Sequence, residues 1–201
     1  LSNSKLSKLI NLSTPKINSL LLELIDDGLV EELGRGDSSG GRRPNIYGMI
    51  KNGFYVVGIS ININRTIISI FNSNNEEISG PHFFPVKMHS DMKIFGQVKE
   101  ELDRVISKAT IPKEKILVAG IEIPGLIDQR KGINKTYFPD VPDLADELQQ
   151  IFEIPVFFSH DSKIRTFAEQ HFGLAKNKKN VLMLQADWGL GLGIIIDKKL
   201  Y

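Results

Sequence analysis

Three glycines near the end of the chain, Gly189, Gly191 and Gly193, alternate with larger residues in the stretch DWGLGLGIII. A turn of this composition lets backbone N–H groups reach an anion, because glycine has no Cβ to hold a phosphate away. Alone, the pattern is weakly specific. The same spacing serves a tight connection between paired strands, with Trp188 packed nearby. A second set of side chains with chemistry in them stands at the other end. Ser13, Thr14, Lys16, Asn18 and Ser19 fall in the opening turns of one helical pattern, off its apolar stripe. These residue types hydrogen-bond base edges when the end of a helix enters a major groove. Arg35, Arg42 and Arg43 stand in the polar run GRGDSSGGRRPN. Arginine on a thin flexible tip suits a narrow minor groove or a phosphate. Lys5 and Lys8 read as phosphate contacts or plain surface.

The elements that must position these residues divide the chain near residue 50. In the first part, Leu6, Leu9 and Ile10 lie on one face of a short helix. Ser13 reads as the N-cap of a second helix, with Pro15 in its first turn. Ile17, Leu20, Leu21 and Leu24 form its apolar stripe, with Ile25 beside it, and Gly28 suits a left-handed residue past its end. LVEEL and IYGMI then read as two strands joined by the Gly/Arg-rich tip. Two helices across a short turn, followed by a two-stranded hairpin, predict a winged helix-turn-helix over residues 1–50. A helical hairpin packed on a sheet is the plainer alternative.

Residues 55–201 alternate strands and helices. FYVVGISININ, RTIISIFNS and the segment after NNEEI read as an antiparallel meander. A helix is expected from about Asp91 to Ser107, with Phe95, Val98, Leu102, Val105 and Ile106 on one face. KILVAGIEIPG is a buried strand, Asp143 to Ile151 a helix, PVFFSHD a strand and SKIRTFAEQHF a helix. NVLMLQAD and GLGIIID close the chain as two strands around the glycines. This order is an α/β layered domain, the order of one lobe of an actin-like (ribonuclease H-like, sugar-kinase type) fold.

Composition narrows the function classes. Lysine plus arginine (25) balances aspartate plus glutamate (24), so nucleic-acid binding must come from a local patch. There is no cysteine, which excludes a disulfide framework or a thiolate metal site in this chain and favours a cytoplasmic protein. No apolar run approaches the roughly 20 residues that span a bilayer. The polar opening LSNSKLSK is not a secretory signal. A start at leucine leads us to expect residues upstream, including a first helix of the winged domain.

With both parts placed, the chain resembles the ROK family (repressors, open reading frames and kinases). It is most similar to the family's repressors of sugar metabolism, of the N-acetylglucosamine and xylose repressor type. The matching stretches are LSTPKINSLLLELIDDGLVEELGRG with GGRRP, then GIEIPGLID, PVFFSHDSKIRTFAEQHFG and DWGLGLGIIIDKKLY. The resemblance implies a chain that continues past Tyr201 into a zinc site and a second actin-like lobe. No cofactor or metal is expected within these residues. It also implies a double-stranded DNA operator, a small sugar or sugar phosphate effector, and a homodimer or dimer of dimers away from membranes.

In family terms Asp161 stands at the position of the carboxylate that takes the sugar's proton, and it also reads as a helix N-cap. The preceding residue is asparagine in family kinases and His160 here, so His160 and Asp161 are the candidate effector contacts. Family kinases carry an Asp-x-Gly-Gly-Thr phosphate turn between the first two strands. Ser60, Ile61, Asn62, Ile63 and Asn64 stand there instead. The carboxylate, both glycines and the threonine are gone, which argues against ATP use. Ser60, Asn62 and Asn64, with Gly189, Gly191 and Gly193, are therefore expected to be vestigial phosphate turns. The reading is a non-enzymatic, sugar-responsive DNA-binding repressor. Its alternatives are a sugar kinase with a DNA-binding head and a DNA-binding protein without a ligand.

Overall fold

A computed structural model of the chain describes residues 1–37, 43–187 and 189–201. Arg42, the hairpin tip around it and Trp188 lie outside the described residues. Contacts divide the chain into two units. One holds Leu1–Tyr55 with Phe71–Glu77, the other Val56–Ile70 with Ile78–Tyr201.

The first unit opens with α1 (Asn3–Ile10) and α2 (Thr14–Asp26), followed by β1 (Val30–Arg35) and β2 (Asn45–Met49). Ser2 caps α1 by accepting from the Lys5 amide, and Asn11 ends it in the left-handed region. Ser13 occupies the N-cap position of α2 with Pro15 in the first turn, but its hydroxyl makes no capping bond. At the other end, Gly28 is left-handed at φ +70°. Its N–H donates to Ile25 O and that of Leu29 to Leu24 O, the paired bonds of a Schellman stop.

β1 and β2 pair antiparallel, Val30 opposite Met49 and Arg35 opposite Asn45, with a register shift between Glu32 and Arg35. The core of this unit is thin. Ile17 and Leu21 are buried, but Leu9 is 69% and Ile10 53% exposed. The apolar face expected of Leu6, Leu9 and Ile10 is therefore not sealed. Among the described residues, two short helices and one ribbon do not supply enough partners to cover it. Leu6, Ile10, Leu20 and Leu24 border an open apolar hollow of about 440 Å³. The turn at residues 71–77 is tied into the same unit by polar bonds. Asn72 Nδ2 donates to Asn52 Oδ1 at 2.8 Å, and Ser73 Oγ donates to Ile50 O at 2.7 Å.

The second unit contains most of a five-stranded sheet. In chain order its elements are β3 (Tyr55–Ile61), β4 (Thr66–Asn72), β5 (Glu77–Phe84), α3 (Lys93–Ala109), β6 (Ile116–Ile123), β7 (Ile127–Asp128), β8 (Ile133–Asn134), α4 (Leu144–Phe152), β9 (Val156–His160), α5 (Asp161–Phe172), β10 (Val181–Ala186), β11 (Leu190–Ile196) and β12 (Lys199–Leu200). The sheet order is β5-β4-β3-β6-β9, with β6 and β9 parallel, Glu122 opposite Ser159 and Ile123 opposite His160. β3 and β4 alternate buried and half-buried residues along their whole length, as period-two packing requires.

On α3, Phe95, Val98, Leu102, Val105 and Ile106 are buried together with Ile94. Leu144, Leu148 and Phe152 are buried on α4, capped by Asp143. Each of these large side chains contributes about 2 kcal/mol by leaving water.

A separate three-stranded sheet, β10-β11-β12, carries the glycines. One of its faces meets α5, and the other exposes Leu182, Leu184, Leu190 and Leu192. The small strands β7, β8 and β12 were not anticipated, being two residues each. Helix α5 begins at Asp161, so the N-cap position belongs to His160 and not to Asp161. As the first helical residue, Asp161 instead places its charge against the positive end of the helix dipole.

Candidate functional site

The second unit holds a cleft of about 310 Å³, bordered by Pro124 just past β6 and by His160 at the end of β9. Carboxyl ends of strands are where open α/β sheets bind ligands. The Pro124–Gly125 turn is set by buried Asn134. Its Nδ2 donates to Pro124 O at 2.9 Å, and its Oδ1 accepts from the Thr136 and Tyr137 amides. Gly125 sits at φ +105°, where a Cβ would press on Asn134 Oδ1.

His160 and Asp161 both line the cleft. His160 Nδ1 lies 2.9 Å from Asp161 Oδ1. The Ser162 amide lies 2.6 Å from Asp161 Oδ1 and 3.2 Å from His160 Nδ1. The shorter contact takes that proton, which leaves Nδ1 to donate to the carboxylate. Foremost through the His160 hydrogen bond, and against the opposing cost of burial, the Asp161 carboxyl is held down at about 2. It is therefore an acceptor at neutral pH.

Behind Asp161 is a network that sequence reading missed. Glu122 Oε1 accepts from Arg165 Nε at 3.0 Å and Nη2 at 2.6 Å, and from Ser60 Oγ at 3.0 Å. Glu122 is only 12% exposed and Arg165 32%. The Glu122 bond, followed by the charges of Asp161 and Asp187, outweighs burial and raises the Arg165 guanidinium above its ordinary value. The available signals were a glutamate inside the apolar run ILVAGIEI and an arginine one helical turn after Asp161.

Two turns complete the cleft. After β3, Asn62 Oδ1 accepts from the Asn64 amide at 2.9 Å and the Arg65 amide at 3.1 Å. This is an Asx turn, and two of its N–H groups are consumed by its own side chain. Asn62 and Ile63 line the cleft, Ser60 sits behind it on Glu122, and Asn64 is exposed and not among the lining residues.

Asp187 and Gly189, between β10 and β11, and Gly191, in β11, line the cleft. A Cβ on Gly193 would overlap Thr166 Oγ1 and one on Gly191 would overlap Ser162 Oγ, whereas Gly189 faces open space. Gln185, opposite Gly191 in the ladder, also lines the cleft, and its Oε1 is buried with no partner among the described residues. It went unnoticed although the strand alternation puts it on the inward face with Val181 and Met183. Among the described residues no cluster of His, Asp or Glu could hold a metal ion, and no helix is long and apolar enough to cross a membrane.

In the first unit, Ser13, Thr14, Lys16, Asn18 and Ser19 are all exposed on the opening turns of α2, and Lys5 and Lys8 are exposed on α1. Asn18 Oδ1 accepts from Asn3 Nδ2 at 2.5 Å, and Ser19 Oγ donates to Glu23 at 3.3 Å. Arg35 ends β1, exposed. Arg43 is exposed too, and it borders one hollow of about 600 Å³ with Thr14 and Asn18.

The chain is 32% identical over 213 residues to a xylose repressor of Caldicellulosiruptor bescii, covering 100% of this chain and 51% of that protein. It is 29% identical to a xylose repressor of Bacillus spizizenii, covering 100% of this chain and 53% of that protein. The chain thus spans about half the length of these curated relatives. A crystal structure of a ROK family transcriptional regulator, a homologue of the E. coli MLC protein, superimposes over 100% of this chain and 52% of its own, with a TM-score of 0.79 at 20% identity. A ROK hexokinase from Thermus thermophilus matches 73% of this chain and 47% of its own, with a TM-score of 0.58 at 22% identity. The fold of the second unit is thus the actin-like, sugar-kinase type. The ROK family model matches residues 57–201, and the chain belongs to the ROK family.

Proposed function

We propose that this chain is the DNA-binding and effector-sensing part of a sugar-responsive transcriptional repressor of carbohydrate metabolism. Residues 1–50 act as a winged helix, with α2 as the reading helix and the β1–β2 ribbon as the wing. Residues 55–201 act as the sensor. The observation that carries this is the pairing of two features in one chain. Exposed Ser13, Thr14, Lys16, Asn18 and Ser19 crowd the opening turns of α2. Later in the chain comes a sugar-kinase-type cleft whose first turn is an Asx turn with Ile63 in it, not a glycine cradle. The relatives named as repressors support the same reading.

The protein works in the cytoplasm as a dimer on a pseudo-palindromic operator, its half-sites whole helical turns apart. His160 and Asp161 hold a small sugar or sugar phosphate. The effector acts by binding one arrangement of the protein better than another, since without that difference nothing shifts. Phosphoryl transfer is not part of this activity. The cleft keeps an ionised Asp161, but the β3–β4 turn spends its N–H groups on Asn62. The ionised Asp161 favours the competing reading, an ATP-dependent sugar kinase with a DNA-binding head.

The test is a salt-controlled titration of the protein on DNA from its own upstream region, with and without sugars and sugar phosphates. Tight, sequence-dependent binding that one sugar alters is the expected result. Binding at the nonspecific level, with one salt slope on every DNA, would overturn the repressor assignment. Sugar-dependent ATP turnover in the same preparation would favour the kinase.

A further inference from the structure

We infer that Asn72 and Ser73, in the turn between β4 and β5, are positioning residues for α2: they fasten the segment that follows β2 and so carry the ligand state of the cleft to the reading helix. This rests on the sensor reading above. Phe71–Glu77 belongs to the first unit, whereas β4 up to Ile70 and β5 from Ile78 belong to the second. The backbone therefore passes between the units after Tyr55, after Ile70 and after Glu77. β4 starts at Thr66, just past Asn62 and Ile63 of the cleft, and ends at Asn72. One strand thus runs from the cleft to this turn, and a shift in it reaches Asn72 through covalent bonds.

From the turn, hydrogen bonds continue to α2. Ser73 Oγ donates to Ile50 O at 2.7 Å, the Ile50 amide donates to Leu29 O at 3.0 Å, and the Leu29 amide donates to Leu24 O in the last turn of α2. A turn that only had to close would need no more than its own bonds. Asn72 Oδ1 makes these, accepting from the Asn74 and Glu76 amides at 3.0 Å each. Its Nδ2 also donates to Asn52 Oδ1 at 2.8 Å, so Asn72 and Ser73 reach residues 20 and 23 positions away. Lys51 Nζ adds a contact of 3.2 Å to Glu76 Oε2. Asn72 is 3% and Ser73 6% exposed, and buried bonds of this kind fix one geometry because breaking them leaves polar groups without water.

The test compares the protein with a double variant, Ser73→Ala with Asn52→Gly. The first change removes the bond to Ile50 O. The second removes the acceptor of Asn72 Nδ2 at a left-handed position, φ +62°, that glycine adopts freely, so the Asx turn itself stays. Binding to labelled DNA from the upstream region is measured with and without free pentoses, hexoses and N-acetylated hexosamines, and sugar affinity by calorimetry. Where a sugar moves the parent's DNA affinity about fivefold or more, that shift should shrink at least about threefold in the variant, while the sugar itself binds within about twofold of the parent. A merely structural role would weaken binding and leave the sugar-induced shift intact. An undiminished shift overturns the inference and leaves the sensor reading standing. Thermal unfolding without sugar gives a second readout: one transition in the parent and two in the variant. Two transitions in the parent, or one in both proteins, overturn the inference. If no sugar moves the parent's DNA binding, the sensor reading fails, and the unfolding transitions alone decide whether Asn72 and Ser73 position the winged unit.

Discussion

The turns after β3 and after β10 border the same cleft, yet they are built by opposite means. The first has no glycine and closes on itself, Asn62 Oδ1 accepting from two amides of its own turn. The second has Gly189 and runs into Gly191 and Gly193 of β11, and those two are demanded by a neighbour. Gly191 and Gly193 lie against Ser162 and Thr166 of α5, with no space for a Cβ. Gly189 alone is free of such contact. A glycine pattern that resembles a phosphate cradle is thus explained at two of its three positions by the close approach of a strand to a helix.

Substitutions can break or sharpen that contrast. The largest effect is expected for Gly193→Ala. The added methyl meets Thr166, which is buried and whose Oγ1 donates to Ser162 O at 2.6 Å, so α5 must shift. A loss of about 3 kcal/mol in denaturant unfolding is expected. An unchanged midpoint would show that the glycine is not held there by packing.

Next comes Glu122→Ala, which leaves a half-buried Arg165 without its partner and frees Ser60. About 2 kcal/mol should be lost, and Glu122→Gln should recover part of it. Asp161 gives a smaller, pH-dependent effect. Its folded value lies below the ordinary one, moved from 3.8 to about 2, so its contribution is complete above about pH 4 and disappears as pH falls through 2. Between pH 4 and 2 the stability of Asp161→Asn should fall by about 1 kcal/mol less than that of the unaltered protein, after allowance for solvent screening. The smallest effect belongs to Gly189→Ala, below about 0.5 kcal/mol, because its Cβ would enter open space. If it matched Gly193→Ala, the distinction within the turn would collapse.

Much of the fold was legible because local rules act over short spans. The heptad-like spacing of Phe95, Val98, Leu102, Val105 and Ile106 marked a helix face, and all five are buried. Gly28 marked a helix end and stands there left-handed in a Schellman stop. Where local reasoning stopped was the competition for partners. Leu9 and Ile10 had the right spacing for a buried face but not the neighbours to bury them. Asp161 had the right type for a cap, but the helix began one residue early and His160 took that position.

His160 and Asp161 were marked as candidates by the family resemblance of their motif, whereas nothing local marked Glu122, Arg165 and Gln185. The bond from Ser60 to Glu122 joins residues 62 apart, and that from Arg165 joins residues 43 apart. Sequence by itself determined the main helices and strands and the absence of glycine from the β3–β4 turn, since each depends on residues within a few positions. Only the tertiary structure decided that Arg165 is paired with Glu122, that Gln185 Oε1 is left without a partner among the described residues, and that Gly191 and Gly193 lie against α5. Those outcomes depend on which distant strand or helix comes within about 3 Å, a distance no local pattern encodes.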